Sequence, residues 1–145
     1  MNMAKVSRIE MSSALSEELL TGLDEIDAQH EYFLGLVRAA AALDEGSPTE
    51  RTNSLVLEIT RYAQAHFAFE ETMMKVYDYP DFERHVAEHS GILKSISRSS
   101  SSERINLAKL RLQLLNWLLS HITLDDKQLA QFIIACRQRA YTAVV

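Results

Sequence analysis

Apolar residues from Leu23 onward recur mostly at steps of three and four, through Leu23, Ile26, Tyr32, Phe33, Leu36, Val37, Ala40 and Leu43. That is the spacing of one buried stripe on a helix. The pattern predicts a first long helix that stops before Gly46, because Gly46-Ser47-Pro48 joins a permissive backbone to a ring suited only to a helix's first turn. Ser47 and Glu50 read as a capping box around Pro48, so a second helix starts there. Its stripe runs through Leu55, Ile59, Tyr62, Ala63, His66, Phe69, Met73 and Met74, and Asp78-Tyr79-Pro80 ends it. Pro80, at a first helical position, opens a third helix through Phe82, His85, Val86, His89, Ile92, Leu93 and Ile96. The Ser-rich stretch from Ser97 to Ser102 reads as a loop. A fourth segment, from Glu103, is the most hydrophobic: Ile105, Leu107, Leu110, Leu112, Leu114, Leu115, Trp117, Leu118 and Leu119 give it the nearly all-round apolar surface of a well-buried helix. Beyond His121, Leu129, Phe132, Ile133 and Ile134 mark a helical continuation or a short fifth element.

Connections of only a few residues make neighbouring helices antiparallel. The expected fold is therefore all-α, an up-down-up-down four-helix bundle over residues 21–145, with an N-terminal arm over 1–20 and a short C-terminal helical extension. Composition agrees with one core. The chain has 145 residues, 47% of them hydrophobic, and its four Gly and two Pro are too few turn-formers for a sandwich or barrel. Fifteen Lys and Arg against twenty Asp and Glu leave a net charge of −5 with no basic stripe, which argues against nucleic acid as a partner. No apolar run reaches membrane-spanning length, so no membrane partner is expected either. A lone Cys136 builds no disulfide framework, and the first twenty residues lack the apolar core of a leader, so a cytoplasmic setting is expected.

Every long helical segment carries at least one of the five His, namely His30, His66, His85, His89 and His121, on or beside its apolar stripe. A single imidazole on an apolar face is more often a core residue satisfied by one hydrogen bond. Several buried together would leave ring nitrogens without partners unless something accepts their lone pairs, and a metal ion does so directly. His85 and His89 lie four apart and point the same way, and His66 and Glu70 repeat that spacing with a nitrogen and a carboxylate. His121 and Asp126 lie five apart, roughly 140° around an ideal helix, so a backbone irregularity is predicted between them. His85-Val86-Ala87-Glu88-His89 also matches a zinc-peptidase pattern, but that reading leaves three further inward-facing His and the missing cleft unexplained. Glu88 is expected to face solvent, one residue off the ligand stripe.

Four segments together resemble the hemerythrin family in its single-domain bacterial form, over roughly residues 22 to 130. They are Gly22-Leu23-Asp24-Glu25-Ile26-Asp27-Ala28-Gln29-His30, His66-Phe67-Ala68-Phe69-Glu70-Glu71, Tyr79-Pro80 followed by His85 and His89, and Trp117-Leu118-Leu119-Ser120-His121-Ile122 with Asp126. The resemblance implies two non-haem iron ions bridged by an oxo or hydroxo group. His85, His89 and His121 would bind one iron, His30 and His66 the other, and Glu70 and Asp126 would bridge both. Two bridging carboxylates and a bridging oxygen bring the three-His iron to six ligands and the two-His iron to five. Dioxygen is the expected ligand of the open position, with other small diatomic ligands or anions as further candidates. Phe33, Phe67, Trp117, Leu118 and Ile122 resemble the family's oxygen pocket, although ordinary core packing would bury them equally.

The implied function is reversible dioxygen binding for storage, delivery or sensing, by a protein that is not an enzyme and has no catalytic residue. The alternative is a di-iron redox enzyme acting on peroxide or nitric oxide, and a third possibility is a metal-free or zinc-bound bundle acting through a protein partner that the sequence does not name. Carboxylate-rich di-iron oxidases use Glu-x-x-His pairs, whereas here no Glu stands three residues before any His. The chain also departs from the bacterial pattern. A Trp common before the first motif is absent, with Leu15 to Leu20 in that region, and Leu129 stands where a Tyr often follows the bridging Asp. Losing that hydroxyl removes a hydrogen bond to a bridging carboxylate. Asp27 and Gln29 near His30 are candidates to support the metal ligands from behind, but exposed helix positions are expected for both.

Overall fold

A computed structural model describes residues 15–43, 47–101 and 104–144. Its helices are α1 (Asp24–Ala39), α2 (Thr49–Val76), α3 (Phe82–Ser100), α4 (Leu107–His121) and α5 (Lys127–Thr142), with short 3₁₀ turns at Glu17–Leu19 and Ala40–Ala42. A five-residue π-helix, Ile122–Asp126, joins α4 to α5 without a break, so the two form one continuous fourth rod. Each rod packs on its two neighbours in a ring, giving the expected four-helix bundle. No helix among the described residues is long and apolar enough to cross a membrane.

The apolar core is split in two. One cluster gathers Phe33, Leu34, Ile59, Ile92, Leu114 and Leu118 with their neighbours; the other gathers Leu23, Ile26, Met74, Tyr79, Leu129 and Ile133. Along α1 the chain passes through the second cluster, then His30, then the first. Along α2 it meets the first cluster, then His66 and Glu70, then Met74 of the second. The order reverses again on α3 and once more on the fourth rod, as antiparallel neighbours require. A polar layer therefore lies between two apolar slabs at one level of all four rods.

Local chemistry accounts for most helix ends and corrects several expectations. At the start of α1, the Asp27 carboxylate accepts from the Thr21 amide (2.8 Å), the Thr21 hydroxyl (2.7 Å) and the Gly22 amide (3.2 Å). Gly22 has φ +91°, a conformation that a side chain would strain. Asp27 is thus a clasp on the incoming chain and not a free exposed position. Helix α2 begins at Thr49 with Pro48 in an extended conformation at its cap, one residue later than the Ser47–Glu50 box implies. Helix α3 begins at Phe82, two residues after Pro80, with Asp81 at the cap.

The serine stretch is not a loop from Ser97, since α3 runs through Ser100. Ile96 is buried beside it, and the Ser100 hydroxyl returns to the Ile96 carbonyl at 2.8 Å, so packing and back-bonding carry the helix past a weak composition. Asn106 caps α4 by accepting from the Lys109 amide at 2.9 Å, which starts that helix later than Glu103. Nor is α4 buried all round: Leu112 is 45% exposed, because the ring of four rods encloses only one broad face of each. The C-terminal extension is a 16-residue helix, longer than expected, that continues rod four. Gly46, Ser102 and Glu103 lie outside the described residues. Of the N-terminal arm, the described part contributes Leu19 to the core, and Lys127 donates to the Glu18 carbonyl.

Leu34, fully buried in the larger cluster, sets the scale of core packing. Leu34→Ala is expected to cost about 2–5 kcal/mol, whereas Leu112→Ala on the exposed face should stay within about 0.5 kcal/mol. Urea unfolding of both variants in the same metal state measures the difference.

Candidate metal centre

All five His meet in the polar layer with Glu70 and Asp126, and each of the seven is at least 97% buried. They form two groups able to hold a cation. One comprises His85, His89, His121, Glu70 and Asp126; the other comprises His30, His66, Glu70 and Asp126. Both carboxylates are common to both groups and each presents one oxygen to each side. Glu70 turns Oε1 to His66 (3.5 Å) and His30 (3.9 Å), and Oε2 to His89 (3.1 Å) and His85 (3.6 Å). Asp126 turns Oδ2 to His30 (3.1 Å), and Oδ1 to His85 and His121 (3.1 Å each).

Helical spacing delivers these groups. His85 and His89 share a face of α3, and His66 and Glu70 share a face of α2. The five-residue offset of His121 and Asp126 is met by the predicted irregularity, since the π-helix occupies the turn between them. Its wider turn brings residues five apart toward one side. On the exposed rim, Glu88 lies outside the layer, so the His-x-x-Glu-His string does not aim its Glu at the two histidines' shared centre.

The spacing of the donors fits a metal. Nε2 of His121 lies 3.1 Å from Nε2 of both His85 and His89. Two ligands about 2.1 Å from one ion and at right angles to each other stand about 3.0 Å apart. Eight buried side-chain nitrogens and oxygens have no hydrogen-bond partner among the described residues, and all eight belong to this layer; both oxygens of Glu70 and of Asp126 are among them. Their close but poorly angled contacts are what lone pairs aimed at common centres produce. A set of five imidazoles and two carboxylates suits a borderline first-row cation.

Charge inside the layer is unevenly distributed without a metal. Burial and the neighbouring imidazoles of His30 and His89 outweigh Glu70 and hold His66 down to about 4. Burial works against the charged form of His85 too, yet the carboxylates of Asp126 and Glu70 beside it push it up to about 9. Burial and mutual repulsion raise the carboxyls, but the surrounding imidazoles win and keep Glu70 and Asp126 below the ordinary range.

Around the layer, several ring Nδ1 atoms stand against polar groups that sequence reasoning misplaced or missed. Gln29, expected at an exposed position, is half-buried and its Oε1 lies 2.8 Å from His66 Nδ1. Glu71 Oε1 lies 3.2 Å from His89 Nδ1, and Asp125 Oδ2 lies 3.3 Å from His121 Nδ1. The available signal was adjacency: each of these acids follows or precedes a ligand-type carboxylate, and Asp125 stands four residues after His121. Aromatic rings brace the same imidazoles. Phe67 stacks on His89 at 4.0 Å and Trp117 on His121 at 4.3 Å, which puts Trp117 on the three-His side. Phe33 stands edge-on to His66 at 6.3 Å, and Leu118 and Ile122 are buried in the same apolar cluster.

A four-helix bundle that carries a buried His and carboxylate layer able to hold two cations defines a class of metal-binding protein. Residues 21–133 match the family model of the Hemerythrin HHE cation binding domain, and the chain belongs to the hemerythrin family. It is 28% identical over 123 residues to a bacteriohemerythrin of Stenotrophomonas maltophilia, covering 82% of this chain and 80% of that protein. It is 28% identical over 114 residues to a bacteriohemerythrin of Pseudomonas aeruginosa, covering 76% and 74% respectively. Its similarity to a myohemerythrin of Theromyzon tessulatum is 28% over 106 residues, covering 71% of this chain and 78% of that one.

The raised pKa of His85 gives a proton count. In the metal-free protein its stabilising charge is complete below about pH 6.5 and is lost as pH rises through about 9. A metal needs the bare nitrogen, so loading at pH 7 is expected to release at least one proton and to weaken as pH falls. His66, neutral above about 4, contributes no proton there. Calorimetry of metal uptake in two buffers of different ionisation enthalpy measures the release.

Proposed function

We propose that this protein holds two non-haem irons bridged by an oxo or hydroxo group and binds dioxygen reversibly, for storage, delivery or sensing. His85, His89 and His121 would hold one iron, His30 and His66 the other, and Glu70 and Asp126 would span both. The observation that carries the reading is unequal donation around shared carboxylates: three imidazoles converge on one side of Glu70 and Asp126, and two on the other. When bound, the iron pair supplies one electron from each metal to a diatomic ligand and recovers both on its release.

The chain's own part is to bind, orient and keep dry. The two-His side offers one donor fewer, which leaves room for a small ligand. Phe33, Phe67, Leu118 and Ile122 are at least 98% buried in one apolar cluster and form the proposed wall that keeps water from that ligand, with Trp117 closing the three-His side over His121. Stacking by Phe67 and Trp117 fixes the ring planes of His89 and His121. Leu129 is buried in the other cluster and brings no hydroxyl to Asp126, whose two oxygens have no hydrogen-bond partner among the described residues. Imidazole outnumbers carboxylate, which supports carriage over the carboxylate-rich oxidation chemistry of di-iron oxidases.

Anaerobic reduction followed by air tests this. Two irons per chain, one dioxygen per pair, and an absorption band that comes with oxygen and leaves on its removal are expected. His66→Ala should lower the count to one iron and abolish the band, whereas Glu70→Ala should weaken both positions. Steady turnover of peroxide or nitric oxide, with no reversible band, would establish the redox-enzyme alternative instead. A count below two would overturn the di-iron reading itself.

A further inference from the structure

The outer faces of the five imidazoles are not alike. On the three-His side, Glu71 hydrogen-bonds Nδ1 of His89 (3.2 Å) and the Asp125 carboxylate stands at ion-pair distance from Nδ1 of His121 (3.3 Å), while His85 Nδ1 has no hydrogen-bond partner among the described residues. A third carboxylate, from Glu88, has an oxygen within 4.8 Å of His121 and Asp125. On the two-His side, Nδ1 of His66 meets the neutral amide of Gln29, at 2.8 Å, and His30 Nδ1 has no hydrogen-bond partner among the described residues. Asp27 adds negative potential near His30, but its oxygens are held by Thr21 and Gly22. One cation tempers the acidic side: Arg84, half exposed, donates to Asp125 and also pairs with Asp81.

Carboxylate at the outer nitrogen makes an imidazole a stronger donor, and nearby negative charge favours the more highly charged state of a metal. Both effects favour the ferric state on the three-His side. We propose that Glu71 and Asp125 polarise the metal pair, so that the first electron withdrawn from it leaves the three-His position, with Arg84 setting how strongly Asp125 acts. This rests on the di-iron reading above. In the step, one Fe(II) becomes Fe(III) and its electron reduces an outer-sphere one-electron oxidant such as ferricyanide to ferrocyanide; no bond in the protein is made or broken. The two-His position, where the proposed vacancy lies, stays ferrous until the second electron is drawn. Glu71, Asp125 and Arg84 are positioning residues, since they act through His89 and His121.

The test is a stepwise anaerobic ferricyanide titration of the fully reduced, two-iron protein at fixed pH, followed by absorption and by paramagnetic resonance of the one-electron-oxidised form. Asp125→Asn and Glu71→Gln should each move the ferric to ferrous ratio of the first step about tenfold toward ferrous, a rise of about 59 mV in its potential. Asp125→Glu should restore the parent value. Arg84→Gln, a change at a half-exposed side chain, should move the first step in the opposite direction by strengthening Asp125. Gln29→Glu should bring the second step closer to the first by making the two sides alike. First-step potentials that stay within a factor of two in both Asp125→Asn and Glu71→Gln, or an Arg84→Gln shift of the same sign as Asp125→Asn, would overturn the proposal. Two irons with unmoved potentials defeat this inference alone, whereas fewer than two irons defeats it together with the function it rests on.

Discussion

The structure is organised by one constraint: seven lone-pair-bearing side chains are sealed between two apolar slabs and have almost nothing but each other to face. Leaving a buried polar atom unpaired costs about 1–3 kcal/mol. Eight such atoms sit in this layer. Their summed cost reaches the whole stability of an ordinary domain, about 5–15 kcal/mol. Positive charge must therefore enter the layer, as protons or as metal ions, and the fold and its ligand are a single thermodynamic problem.

Much of the architecture serves to bring those side chains to one level. The slabs alternate order along successive rods, which puts the polar residues of all four at the same height. A regular helix through His121 and Asp126 would point one of them away, so the fourth rod gives up ideal hydrogen bonding for five residues at the site. The clasp by Asp27, one helical turn before His30, on Thr21 and Gly22 fixes where α1 begins.

Beyond the layer, the bundle treats its two sides differently. Carboxylates and stacked aromatics support the three-His side, while an amide and an edge-on Phe33 support the other. Symmetric donors alone would make the two positions alike in all but ligand count. A layer able to hold cations fits the chain's membership of a cation-binding family, and Glu71, Asp125 and the Arg84 contact make its two sides unlike.

Sequence alone determined the four amphipathic rods, the His at helical spacing and the need for a break between His121 and Asp126, because each follows from periodicity within one helix. It misjudged features that depend on neighbours. Ser97 to Ser100 stay helical because Ile96 packs into the core, and Gln29 turns inward because α2 brings His66 beside it. Leu112 lies outside because a ring of rods can cover only one face of each. Only tertiary structure decided which oxygen of Glu70 and Asp126 faces which histidines and which acids back the rings. Those relations join residues far apart in the chain, His30 with Asp126 among them, and no local spacing rule encodes them.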